Sequence, residues 1–160
     1  MRAKPTPEHG WLHKLIGSWE GESSCSMGPD QPPMLMTFTE VFRAVGDVWV
    51  VGDGTISDGD DAGASVMTLG FDPKSSRYTG TWIGSPMAHL VVYDGERKEG
   101  SDTLVLNAEA PHYEDPSRMA TYQDIVEFVG PDERLLRSQM KQDDGSWSEF
   151  MRIVYKRVRN

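Results

Sequence analysis

Four histidines and one cysteine are the residues of this 160-residue sequence with the most obvious capacity for metal binding, proton transfer or nucleophilic attack. His9 and His13 stand one helical turn apart, a spacing that lets two imidazoles share a metal ion. The residues between them are Gly10, Trp11 and Leu12, with no glutamate to act as a base, so the pair reads as two exposed helix histidines. His89 is different. It shares the parity of Val91 and Tyr93 in an extended segment, and if that parity faces inward its imidazole needs a partner such as Tyr122, Asp124 or Glu149. Contact with a carboxylate would make a general acid–base pair, whereas a satisfied structural histidine is the plainer reading. Carboxylates that could take part are Glu40, Glu109, Asp124, Glu127 and Glu149, all within extended segments. Glu127 and Glu149 have apolar neighbours and are most simply outer-face residues.

Nucleophile chemistry has little to build on. Cys25 lies among small polar residues without a nearby histidine, Ser85 is not in a Gly-x-Ser-x-Gly elbow, and no glycine-rich phosphate loop opens a helix. The basic residues Arg152, Lys156, Arg157 and Arg159 near the C-terminus read as a solvated strand face before they read as an anion site. Aromatic and sulfur side chains spread over separate segments are better suited to lining an adaptable apolar cavity. The candidate ligand-binding set is Trp49, Met67, Trp82, Met87, His89, Tyr122, Met140 and Phe150. The competing reading is an ordinary filled core.

Turn chemistry shows what must position these residues. Nine clusters of Gly, Pro, Asp and Asn-like turn formers punctuate the chain, from Gly28-Pro29-Asp30 with Pro32-Pro33, through Asp58-Gly59-Asp60-Asp61, to Asp143-Asp144-Gly145. They leave ten segments rich in Val, Thr, Ile, Phe, Tyr and Trp, several alternating with period two. Connections this short allow hairpins and not parallel crossovers, so the prediction is an all-β, ten-stranded antiparallel up-and-down barrel, closed so that no edge is left open. A ten-stranded barrel is wider than the eight strands that side chains alone can fill. A helix over about residues 7–16 precedes it: Thr6 is an N-cap type, Pro7 suits the first helical position, and Gly17 ends it. Trp11, Leu12, Leu15 and Ile16 share an arc, so this helix should plug one mouth of the barrel. One domain over residues 1–160 is expected, with the barrel over about 18–158.

Charge and composition narrow the classes further. A net charge of −9, from 25 acidic and 16 basic side chains, argues against nucleic acid as a partner. No segment approaches the roughly 20 apolar residues that span a bilayer. Met1 to Gly10 has no apolar run of signal-peptide type, and a lone cysteine suits a reducing compartment, so the cytoplasm is expected.

Gly17-Ser18-Trp19 after a short helix resembles the opening signature of the lipocalin and fatty-acid-binding superfamily. There an arginine from the last strand packs over the tryptophan, a part the resemblance offers to Arg152 or Arg157; the Thr-Asp-Tyr motif of the lipocalins proper is missing. Over nearly the whole chain the sequence resembles an uncharacterised bacterial group, the domain of unknown function 1579 family. The resemblance rests on Cys25 to Met34, Leu69-Gly70-Phe71-Asp72-Pro73, Gly80 to Ser85 and Asp143-Asp144-Gly145-Ser146-Trp147, and it implies a lipocalin-like barrel with no settled activity. Leu15, Gly17, Trp19 and Gly21 also resemble the opening of the nitrobindins, which imply haem held by a histidine of a late strand. His112 is the last histidine here and Trp147 to Tyr155 has none, so no cofactor is expected and haem is the minor alternative. The resulting expectation is a bacterial protein that binds a small apolar ligand. An enzyme using His89 with a carboxylate, and a module that acts by forming a homodimer, are the alternatives.

Overall fold

The computed structural model describes residues 2–25, 32, 34–58 and 61–159; the turns expected around Gly28 to Asp30 and at Gly59-Asp60, and the side chain of Cys25, lie outside them. Helix α1 (Pro7–Leu12) runs into a single 3-10 turn (His13–Leu15). Ten strands follow: β1 (Gly17–Cys25), β2 (Met34–Val45), β3 (Trp49–Asp58), β4 (Asp61–Asp72), β5 (Arg77–Gly84), β6 (Met87–Glu96), β7 (Thr103–Pro111), β8 (Met119–Gly130), β9 (Glu133–Lys141) and β10 (Trp147–Arg157). Every neighbour in sequence is an antiparallel neighbour in space, and β1 pairs with β10 to close the barrel. Closure gives every strand a paired neighbour on both sides, the outcome that short turns and a long meander demand.

The helix is shorter than the sequence suggested and ends at Leu12. Arg157 from the end of β10 caps the segment that follows. Its guanidinium donates to the carbonyls of Lys14 (2.8 Å) and Ile16 (2.6 Å), acceptors at the end of a helical segment that have no N–H partner within it. Gly17 then turns the chain into β1 at φ +126°, and a Cβ there would stand 2.6 Å from Arg157 Nη1. This is the physical content of the Gly-x-Trp signature: a left-handed turn held by an arginine that also lies 4.3 Å over the ring of Trp19. Arg152 is exposed and pairs with Glu149 at 3.1 Å, so of the two candidates Arg157 is the one over the tryptophan.

His9 is buried, which corrects the expectation of two exposed histidines. Its Nδ1 accepts the Thr6 backbone N–H at 2.8 Å, standing where a capping box carries Glu or Gln, and Nε2 donates to the Phe71 carbonyl at 3.0 Å. These bonds dock α1 on β4. Trp11, Leu12 and Leu15 thereby enter the barrel end, Trp11 packing edge-on to Phe128 at 5.2 Å and Tyr78 at 6.3 Å, so the helix plugs that mouth. Above this plug the inward parity is large and apolar, with Trp19, Phe42, Val50, Leu69, Leu104 and Leu106 buried. Among them sits an ion pair between Glu40 and Arg134, both inward. The Arg134 guanidinium lies 4.0 Å over Tyr155 and 4.7 Å over Trp19, and burial with the nearby Glu40 charge pushes the Tyr155 hydroxyl above its ordinary range although Arg134 opposes this.

Candidate functional site

The interior changes character along the strands. On β7 the inward residues run Leu104, Leu106, Ala108, Ala110, so two methyl groups stand where two isobutyl groups stood at the helix end. A cavity of about 850 Å³ opens in the space this leaves, at the barrel end away from α1. Met67, Trp82, Val91, Ala108, Ala110, Leu136 and Met151 supply apolar wall, and Met87, His89, His112, Tyr113, Pro116 and Phe150 lie toward its mouth. Volume and lining are those of small-molecule pockets, which are mostly apolar with a few placed polar groups.

Six of the eight residues proposed from sequence line this cavity: Met67, Trp82, Met87, His89, Tyr122 and Phe150. Trp49 does not. The inward parity of β3 belongs to Val50 and Gly52, so Trp49 faces out, 42% exposed, with its ring laid across Gly70 of β4. Met140 has the inward parity of β9 but is sealed in the wall, paired in register with Tyr122 and Ser148, and presents no surface to the cavity. Phe150 reaches the rim through a register irregularity between Glu149 and Met151, which turns two consecutive residues of β10 toward the same space. It meets Tyr113 at 5.2 Å and Tyr122 at 5.9 Å.

His89 Nε2 donates to the backbone carbonyl of Glu109 at 3.2 Å and not to Tyr122, Asp124 or Glu149. This contact has a structural logic. Among the described residues the β6–β7 ladder is confined to Asp94, Gly95 and Glu96 against Asn107, Leu106 and Val105, and toward the mouth the two strands have no register pairs. His89 bridges the seam where the ladder stops. Glu149 is on the outer face with Arg152 and Arg137, and Glu127 also pairs outside with Arg137, as their neighbours implied. Glu109 is outward too, accepting from Thr121.

Sequence reasoning missed three cavity groups. His112 is buried at the mouth, its Nδ1 accepting the backbone N–H of Glu114 at 3.1 Å and of Asp115 at 3.3 Å, which places the ring proton on Nε2. Tyr93 of β6 donates to Asp124 Oδ2 at 2.5 Å, and Ser138 of β9 donates to Asp124 Oδ1 at 2.6 Å. Asp124 faces the cavity but its carboxyl is otherwise enclosed by protein; burial raises its pKa, against the two hydroxyl bonds that lower it. Burial, with the Asp124 and Glu40 charges, also holds the Tyr93 hydroxyl well above its ordinary range. Asp124 has the parity of Tyr122, Val126 and Phe128, so its inward position was open to inference from β8 alone. Its partners on β6 and β9 were not. No group of three or more metal-ligating side chains occurs among the described residues.

Fold and cavity together define a ten-stranded, closed, lipocalin-like barrel, plugged by a helix at one end and hollow at the other. The model of the protein of unknown function family DUF1579 matches residues 4–157, and the chain belongs to that family. No curated protein matches it. Among solved structures it is similar to Rv2717c from M. tuberculosis, at 15% identity and a TM-score of 0.60, over 98% of this chain and 100% of that one. It is also similar to the S-type phycobiliprotein lyase CPES from Guillardia theta, at 17% identity and a TM-score of 0.54, over 98% of this chain and 94% of the lyase. At these identities the likeness is one of fold. No helix among the described residues is long and apolar enough to cross a membrane.

Proposed function

We propose that the protein binds a small, largely apolar molecule in this cavity, in the cytoplasm of a bacterium. The observation that carries the reading is the change from a packed to a hollow interior within one barrel. Side chains that could have filled it are replaced by Ala108 and Ala110, while Met87, Tyr113 and Phe150 stand exposed around the opening. The fold shared with a phycobiliprotein lyase fits such a role. Haem suits the site poorly. His112 accepts two backbone N–H groups at Nδ1 and so carries its proton on Nε2, His89 donates Nε2–H to a carbonyl, and neither ring offers that nitrogen's lone pair to iron. Acid–base catalysis by His89 also lacks its second member, since no carboxylate hydrogen-bonds to it among the described residues.

Native mass spectrometry of freshly purified protein should reveal a co-purified small molecule, and Ala108→Leu with Ala110→Leu should exclude it while the barrel stays folded. A clean apo mass, together with no uptake of apolar dyes that the double variant blocks, overturns the proposal. A second reading is homodimerisation through the outer face of β5 and β6, where Ile83, Leu90 and Val92 are each at least half exposed. Sedimentation as a monomer at high concentration overturns that one.

A further inference from the structure

Among the described residues the barrel holds two inward carboxylates in opposite circumstances. Glu40 is neutralised by Arg134. Asp124, on the cavity wall, has only the hydroxyls of Tyr93 and Ser138, one on each oxygen, and no cation pairs with it among the described residues. Both hydroxyls donate to Asp124, an arrangement suited to the ionised carboxylate, which accepts at both oxygens and keeps further lone pairs on each. An ionised carboxylate beside apolar walls is costly unless a positive partner arrives, and none of the described residues supplies one.

Building on the cavity reading above, we propose that the bound molecule carries a protonated or N–H-bearing nitrogen that seats on Asp124, with its apolar body against Trp82, Ala108 and Leu136. The mouth supports the same sign of charge. The loop after β7 carries Glu114 and Asp115 and the turn after β9 carries Asp143 and Asp144, while Arg118 is engaged by Asp115 and Asp143, each at 3.8 Å. An acidic rim on a chain of net charge −9 draws cations toward the opening and repels anions. The ligand class is therefore an apolar amine or a nitrogen heterocycle and not a fatty acid.

Three probes of one shape test this: naphthylmethylammonium, naphthylmethanol and naphthoate, with affinities followed by tryptophan fluorescence and calorimetry at neutral pH and physiological salt. The ammonium compound should bind about 10-fold tighter than the alcohol, the step expected of a charge-assisted hydrogen bond, and the carboxylate should bind weakest. Asp124→Asn should bring ammonium and alcohol to similar affinities, with the larger loss falling on the ammonium compound. Neutralising the rim with Glu114→Gln and Asp115→Asn should slow association and keep the preference. In the wild-type protein the carboxyl carbon resonance of Asp124 should move on adding the ammonium compound and stay put with the alcohol, a readout that needs no variant. Equal binding of alcohol and ammonium by the wild type, or a preference that survives Asp124→Asn, overturns this proposal and leaves the cavity reading intact. Failure of all three probes to bind removes the cavity reading, and this proposal with it.

Discussion

The two ends of the barrel are built from the same strands and obey the same alternation, yet one is a core and the other a container. At the helix end the inward parity presents Trp19, Leu69, Leu104 and Leu106, each at most 1% exposed, with Trp11 driven in from α1 and Leu15 from the 3-10 turn that follows it. At the far end the same parity presents Ala108, Ala110, Asp124 and Ser138, and space remains. Even the charged residues differ: the packed region pairs Glu40 with Arg134 inside an aromatic cage, while the hollow region holds Asp124 with hydroxyls alone. A barrel of fixed strand number can thus divide labour along its axis, with stability concentrated where side chains fill it and binding capacity where they do not.

The sharpest way to break this contrast is at the buried ion pair. Glu40→Ala leaves the Arg134 charge buried without its partner, and unfolding in urea should show a loss of about 3–5 kcal/mol. A loss under about 1 kcal/mol would mean that water or another group reaches Arg134 and that the packed end is not dry. Next in size, Leu104→Ala at the packed end should cost about 2–5 kcal/mol through the cavity it opens, whereas Ala108→Leu two rungs further along β7 should change stability by less than about 1 kcal/mol. Comparable losses for both would show that the far end is packed after all.

The smallest effect concerns Asp124 and has a sign that pH reveals. Burial raises its pKa in the folded chain, so the folded state holds that proton more tightly than the unfolded state does. The resulting contribution to stability is fully present below the ordinary carboxylate pKa and is lost as pH rises through the raised folded value. Asp124→Asn should therefore match the wild type in acid and exceed it at neutral pH, a divergence that Tm measured across pH will show. A variant less stable than wild type at neutral pH would mean that the hydroxyl bonds of Tyr93 and Ser138 outweigh the burial of charge.

From sequence alone the architecture was readable because its causes are local. Turn residues such as Asp72-Pro73 and Gly145, the last at φ +87°, set where strands end, and short turns leave antiparallel pairing as the only option. The arginine of the last strand, by contrast, is implied only by the resemblance that Gly17 and Trp19 carry to the lipocalin superfamily. Parity was harder. Strands apolar on both faces give no sign of which side is in, so sequence makes Trp49 as fit for the cavity as Trp82, and the irregularity at Glu149 that swings Phe150 to the rim leaves no mark in composition.

What only the tertiary structure decided is who meets whom across the barrel. The carbonyl of Glu109 reaches His89 because the β6–β7 ladder stops short, Phe71 receives His9 across 62 residues, and Tyr93 and Ser138 converge on Asp124 from strands on different sides of it. Backbone dihedrals are chosen by each residue and its neighbours, so they can be read along the chain. Contacts between strands depend on register and curvature accumulated over the whole closed sheet, and no local stretch of sequence contains that sum.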